Sequence, residues 1–222
     1  MSMSKDLFEA AKDLRYLLTR GYTRDSAIRF VSARRRLTVM ERHILMRAVY
    51  DEAEAEKRRK KLVKINDIRG EVVSIDGYNL LITVESMLSN RLLVHCDDHL
   101  TRDVSGVFGK HKITPVTTQA LGIILQSLKE HEPKEVYFVY DKQVSRSGEL
   151  AYKTRTMMAD LQLKGIATTA PKADIATIKA GGVIVSSDSL VAQKAERILD
   201  LAGELASEAS YSNILQLTHW EI

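Results

Sequence analysis

A single cysteine, Cys96, stands in a chain of 222 residues. No intrachain disulfide can form, which excludes the cystine-stapled secreted scaffolds and fits a reducing cytoplasm. No apolar run approaches the roughly 18 residues of a membrane span. The opening MSMSKDLFEA lacks the apolar segment of a secretory signal. The expected setting is cytoplasmic, with no membrane partner. Several catalytic signatures are missing as well. There is no G-x-x-x-x-G-K-[ST] P-loop, no G-x-G-x-x-G dinucleotide turn and no G-x-S-x-G nucleophile elbow. A phosphoaspartate phosphatase would carry a second Asp two residues after the first; after Asp76 that position is Tyr78.

What is present is enough to bury a real core: 45% of residues are hydrophobic and 28% charged. The net charge of +4 hides an asymmetry. Residues 1–70 carry 18 Lys+Arg against 10 Asp+Glu, a balance of +8, and the remainder is acidic at −4. A basic front suits a polyanion partner, whereas charged helices that merely vary in sign would give the same count.

The first segment reads as helical. Leu7, Ala10, Ala11, Leu14, Leu17 and Leu18 form one apolar stripe, and Gly21 is a helix stop. TRDSAIRFVSARRR gives a second helix. Thr38 and Glu41 make a capping box for a third, expected to run on into DEAEAEKRRKKLV as an exposed linker helix. From residue 71 strands and helices alternate. EVVSI, RLLVHC, EVYFVY, GIATTA and GVIVSS read as strands, and NILQLTHWEI as a last one. YNLLITVESML, the segment after Thr114-Pro115, SGELAYKTRTMMADLQLK and the single long DSLVAQKAERILDLAGELA read as helices. The expected fold is α/β, a Rossmann-like, mostly parallel sheet covered on both faces, spanning residues 70–222 behind a small all-helical module, residues 1–69.

Asp76, Asp141 and Asp188 each follow a strand and precede a helix. Any one of them reads as an N-cap. Strands of one parallel sheet end at one edge, however, and ligands bind there. Three carboxylates at that edge repel, and a bound cation is the ordinary way to hold them ionised. An all-oxygen set suits Mg²⁺ or Mn²⁺, and hence phosphodiester hydrolysis.

The stretches IDGYNLLIT, VYDKQVSRSGEL and VSSDS resemble a PIN-like nuclease domain of the NYN type, and the whole chain resembles a family of uncharacterised prokaryotic proteins that join a helical module to such a domain. The resemblance implies a ribonuclease-like fold and a metal-dependent activity. Matched by position, it carries over Asp76 and Asn79, Asp103 from TRDVSG, Asp141, Ser147-Gly148 and Ser187-Asp188. Lys142 departs from the small residue expected there. The reading is a hydrolase of nucleic acid, RNA more than DNA. Asp76, Asp141, Asp188 and Asp103 hold the metal, and Asn79, Arg102, Arg146, Ser147 and Ser187 contact substrate. The rivals are a non-catalytic RNA-binding or adaptor protein on the same fold and a small-molecule phosphatase. Monomer and homodimer both stay open.

Other features carry weaker signals. HCDDH, residues 95–99, is too crowded for zinc and reads as a strand-end turn. Glu85 is a helical carboxylate near the edge. Lys110 flanks it, and Arg34, Arg35 and Arg36 wrap a corner of the helical module as a phosphate-contacting turn would.

Overall fold

A computed structural model describes residues 4–104 and 111–217; Lys110 lies outside them. The chain is α/β with a helical region at its N-terminus. Helices α1 (Lys5–Thr19), α2 (Arg24–Arg34), α3 (Val39–Ala48) and α4 (Glu52–Arg59) come first. The stripe of α1 is buried, with Leu7, Ala10, Ala11 and Leu14 wholly inaccessible; each such leucine contributes about 1.5–3 kcal/mol. The capping box at Thr38 and Glu41 is formed. The continuous linker helix is not. Val49 is extended (φ −99°, ψ 128°), and Asp51 caps a separate α4 by accepting from the Glu54 N–H. Nor is its charged sequence all solvated: Ala55 and Arg58 are buried.

Strands β1 (Val72–Asp76), β4 (Glu135–Asp141), β5 (Gly165–Ala170) and β6 (Val183–Val185) form a parallel sheet in the order β5-β4-β1-β6. The side chains of β1 and β6 are buried on both faces, whereas the edge strand β5 buries only Ala167. Val73, Ile75, Phe138, Tyr140 and Val185 share one core with α5 (Gly77–Leu88), α6 (Pro115–Glu130) and α7 (Ser147–Asp160). Ile184 belongs to a second cluster, with Val191 and Ile198.

Three expectations change. RLLVHC does not join this sheet. Its β2 (Leu93–His95) lies between an antiparallel β3 (Thr101–Asp103) and a parallel β7 (Ile214–Gln216) in a separate sheet. Asp103 is the last residue of β3. A helix not anticipated, α8 (Ala173–Ala180), joins β5 to β6; it buries only Ala173 and Thr177, so it shows no apolar stripe. The long helix after Asp188 is two, α9 (Ser189–Lys194) and α10 (Leu201–Glu208). Between them Ile198 bridges in extended form to both Leu62 and Ile184.

The helical region does not stand apart. Its core includes Val94, Cys96, Val104 and Leu217 from the small sheet and its flanks. The HCDDH turn supplies polar ties to the same region. Asp97 accepts two bonds from Arg15 and one from the Tyr50 N–H.

Candidate functional site

Strand β1 has β4 on one side and β6 on the other, so the chain order reverses beside it, where α/β sheets leave a crevice beyond the strands' carboxyl ends. A cleft of about 430 Å³ opens there, and Asp76, Asp141, Asp188 and Asp103 all line it. The topology brings the four together from β1, β4, the β6–α9 loop and β3.

Asp76 is the last residue of β1, immediately before α5, yet it makes no side-chain cap. Its carboxylate is buried and accepts from the Ser186 hydroxyl at 3.2 Å. Burial, with the charges of Asp188 and Asp174 added, outweighs that bond and the pull of the Asn79 main-chain N–H, and pushes its pKa up to about 7. Gly77 follows because no other residue fits: a Cβ there would lie 2.4 Å from Tyr140 Cε1. Asp188 does cap, its Oδ1 accepting from the Leu190 and Val191 N–H groups at 2.9 and 3.1 Å. Asp141 closes a local turn by accepting from the Gln143 N–H at 2.8 Å. Asp103 accepts from the Ser86 hydroxyl at 2.7 Å.

Among the described residues, no group of three or more His, Cys, Asp or Glu side chains is gathered closely enough to hold a metal ion. The donor chemistry nevertheless suits a hard cation. Asp76 is a desolvated carboxylate with acidic neighbours and a single side-chain donor, and Mg²⁺ commonly takes only one or two protein carboxylates and keeps its waters.

Asn79 faces the cleft and ties its walls together. Its Oδ1 accepts from both the Ser187 N–H and hydroxyl, at 2.7 and 3.0 Å, fixing the loop that carries Asp188 to the first turn of α5. Arg102 also lines the cleft but is committed to the protein. Nε donates to the Ser187 carbonyl at 2.7 Å, and Nη1 and Nη2 donate to Asp98 at 2.6 and 2.7 Å. Asp98 accepts from Arg58 as well, at 3.0 Å. Burial alone would raise the Asp98 carboxyl, but these arginines, Arg102 first, hold it below its ordinary value. Arg146 and Ser147 are not cleft residues. Arg146 is exposed and paired with Glu149, while Ser147 is buried at the start of α7. Glu85 is engaged by His111 Nε2 at 2.9 Å. Of the three adjacent arginines, Arg35 pairs with Asp13 at 2.8 Å, binding α2 to α1.

The cleft also contains residues that the sequence did not mark. Asp174 comes from α8, the helix with no periodic signal. Ser186, the donor to Asp76, is not itself a cleft residue; it precedes the Ser187-Asp188 pair and could have been taken from the same SSDS motif. Arg47 and Tyr50 come from the helical region. Nothing local in the sequence signals them, because their place depends on how that region folds back over the sheet edge.

Comparison with known proteins matches both parts of the chain. Residues 6–61 match a family described as "Protein of unknown function (DUF434)". Residues 65–204 match one described as "Domain of unknown function (DUF5616)". The uncharacterized protein MJ0935 of Methanocaldococcus jannaschii is 33% identical over 198 residues, covering 88% of this chain and 94% of its own length. No solved structure gives a significant match. No helix among the described residues is long and apolar enough to cross a membrane. The second match covers more than half of the sequence, and the chain belongs to the family described as domain of unknown function DUF5616, here preceded by a segment similar to DUF434.

Proposed function

We propose that the chain is a metal-dependent phosphodiester hydrolase, a ribonuclease on a PIN-like domain. One observation carries the reading. Asp76, Asp141 and Asp188, far apart in sequence, line a single cleft at the carboxyl edge of the parallel sheet, and the central one is buried without acting as a cap. A bound Mg²⁺ or Mn²⁺ would supply an acidified water and neutralise charge developing on phosphorus. Asp76 is the side chain to hold it, with Asp188, whose charge acts on Asp76, as the second carboxylate; Asp141, Asp103 and Asp174 line the same cleft without closing a three-carboxylate cage. The chain's own part is orientation and proton handling. Asn79 and Ser187 fix the loop that presents Asp188. Ser186 holds Asp76 Oδ2, and with a pKa near 7 the Asp76 carboxyl can accept a proton at neutral pH when no cation faces it.

The test incubates the full chain with end-labelled single-stranded RNA and DNA in Mn²⁺, Mg²⁺ or EDTA, with p-nitrophenyl phosphate as a control. Cleavage of RNA that needs the ion and disappears in Asp76→Asn is the expected result. Turnover of the small ester alone would make the chain a phosphatase. No turnover of any substrate would end the hydrolase reading.

A second reading, RNA binding without chemistry, has its own support in the helical region. Tyr16, Tyr22 and Phe30 are 61%, 59% and 64% exposed, and Arg20 stacks on Tyr16 at 5.1 Å. Exposed aromatics among arginines suit stacked bases and backbone phosphates. Salt-sensitive RNA binding with no cleavage under any ion would favour it.

A further inference from the structure

We infer that Arg47, from the helical region, is the side chain that contacts the substrate's phosphate in the cleft, so that the site is composite and needs both parts of the chain. The inference rests on the phosphodiester reading for its substrate class. Two cations line the cleft among the described residues, Arg47 and Arg102. They differ in what they have left to offer. Every nitrogen position of the Arg102 guanidinium donates to a protein oxygen, two of them to the Asp98 carboxylate. Arg102 is also only 4% exposed and lies over the Tyr50 ring. Its charge is spent on the fold. Arg47 is partly exposed, and among the described residues its one side-chain hydrogen bond goes from Nη1 to the neutral main-chain carbonyl of Asp103 at 2.8 Å. No carboxylate lies within ion-pair distance of it among the described residues.

That carbonyl clamp matters. It fixes one edge of the guanidinium to β3 without neutralising it, and leaves the remaining N–H groups for an anion. An arginine held in this way is pre-organised for a phosphate, whose oxygens match its planar fork. The anchor residue is itself a wall of the cleft, so Arg47 is held beside the carboxylates. Two exposed apolar side chains also line the cleft, Met46 (44%) beside Arg47 and Leu190 (58%) on α9. An anion with an apolar flank, as in a nucleotide unit of a polymer, uses both; inorganic phosphate uses only Arg47.

The experiment uses the full chain and a fluorescein-labelled ten-nucleotide single-stranded RNA, in EDTA so that binding is read without cleavage. Fluorescence anisotropy is followed across a salt series, and melting temperatures are recorded for each variant. Arg47→Gln should bind about tenfold more weakly, and the slope of log affinity against log salt should shrink by about 0.7, the share of one single-strand phosphate contact. Arg47→Lys should keep the salt slope and lose part of the affinity, because it retains the charge and not the fork. If Arg47→Gln melts early, the Arg47→Lys slope and affinity decide. Wild-type affinity and slope in Arg47→Gln would overturn the assignment while leaving the hydrolase reading intact. RNA binding lost in Arg47→Gln by a wild type that never cleaves would uphold the contact and remove the hydrolase. A wild type that binds no RNA at all would overturn both the contact and its substrate class.

Discussion

Asp98 and Arg102, four residues apart, face each other through two parallel N–H···O bonds of 2.6 and 2.7 Å with almost no access to solvent. The same carboxylate reaches across to Arg58 of α4, so one buried charge ties the helical region to the strand that carries Asp103. Tyr50 lies against this cluster, with Arg58 and Arg102 guanidinium carbons 4.3 and 5.2 Å from its ring centroid. Replacing Asp98 by Asn leaves two buried guanidinium groups facing a neutral amide. Breaking such a pair costs about 3–5 kcal/mol. Calorimetry of Asp98→Asn should show a fall in melting temperature on the order of 10 °C, given roughly 2–4 °C per kcal/mol for a chain of this size. An unchanged melting temperature would mean that the cluster adds nothing to stability.

Asp76 yields a pH signature. Its folded pKa, about 7, lies above the 3.8 of an ordinary aspartate. The folded state therefore holds a proton between those values that the unfolded chain releases. Stability from this group is greatest below about pH 4 and falls as pH rises toward 7. Asp76→Asn removes the dependence. Without divalent ions, the variant should match the wild type near pH 4 and exceed it at pH 8, by up to a few kcal/mol. Urea melts at both pH values check this. A variant less stable than wild type at pH 8 would show that the carboxylate serves the fold after all. In the hydrolase reading the same variant loses both RNA cleavage and stabilisation by Mn²⁺.

Gly77→Ala tests why the D-G-x-N turn needs its glycine. The added methyl meets the Tyr140 ring, which is fully buried and held by Thr154 Oγ1 at 2.8 Å. The ring has nowhere to move, and overpacking of this sort costs about 1–3 kcal/mol or more. We expect a lower melting temperature and a β1–α5 junction displaced at Asp76, seen as a changed pH dependence of stability. A fully stable alanine variant would show that the junction can give way.

Asn79→Ala removes the acceptor for two donors of Ser187. Ser187 is buried, so its N–H loses its partner at a cost of about 1–3 kcal/mol. The loop bearing Asp188 should loosen, and hydrogen exchange at Ser187 and Asp188 should speed up. Unchanged protection there would place the loop's rigidity in the Arg102 bond to the Ser187 carbonyl instead.

Much of this was legible in the sequence for a physical reason. VVSI, EVYFVY and GVIV lie in strands buried on both faces, which leave unbroken apolar runs; the aspartates that end or follow them fall at one edge because the strands are parallel. The capping residues at Thr38 and Thr114 act locally, so local spacing revealed them. What stayed hidden was set at long range. RLLVHC has the composition of a central strand but pairs with the far C-terminal segment, a choice made by the helical core that covers it. Residues 195–200 continue a helical pattern, yet Ile198 gains more by bridging two strands' worth of backbone. Asp174 and Arg47 reach the cleft only through packing, and no periodicity marks them.

The mixed parentage of the helical core bears on how this molecule can be divided. The two family matches meet between residues 61 and 65. Yet Val94, Cys96, Val104 and Leu217 complete the hydrophobic core of the first segment, and Arg58 of that segment neutralises Asp98 of the second. A cut at the seam would strip apolar surface from one fragment and strand a charge in the other. The two matched segments are thus not separate units of folding, and any division between them would have to supply a new surface for each.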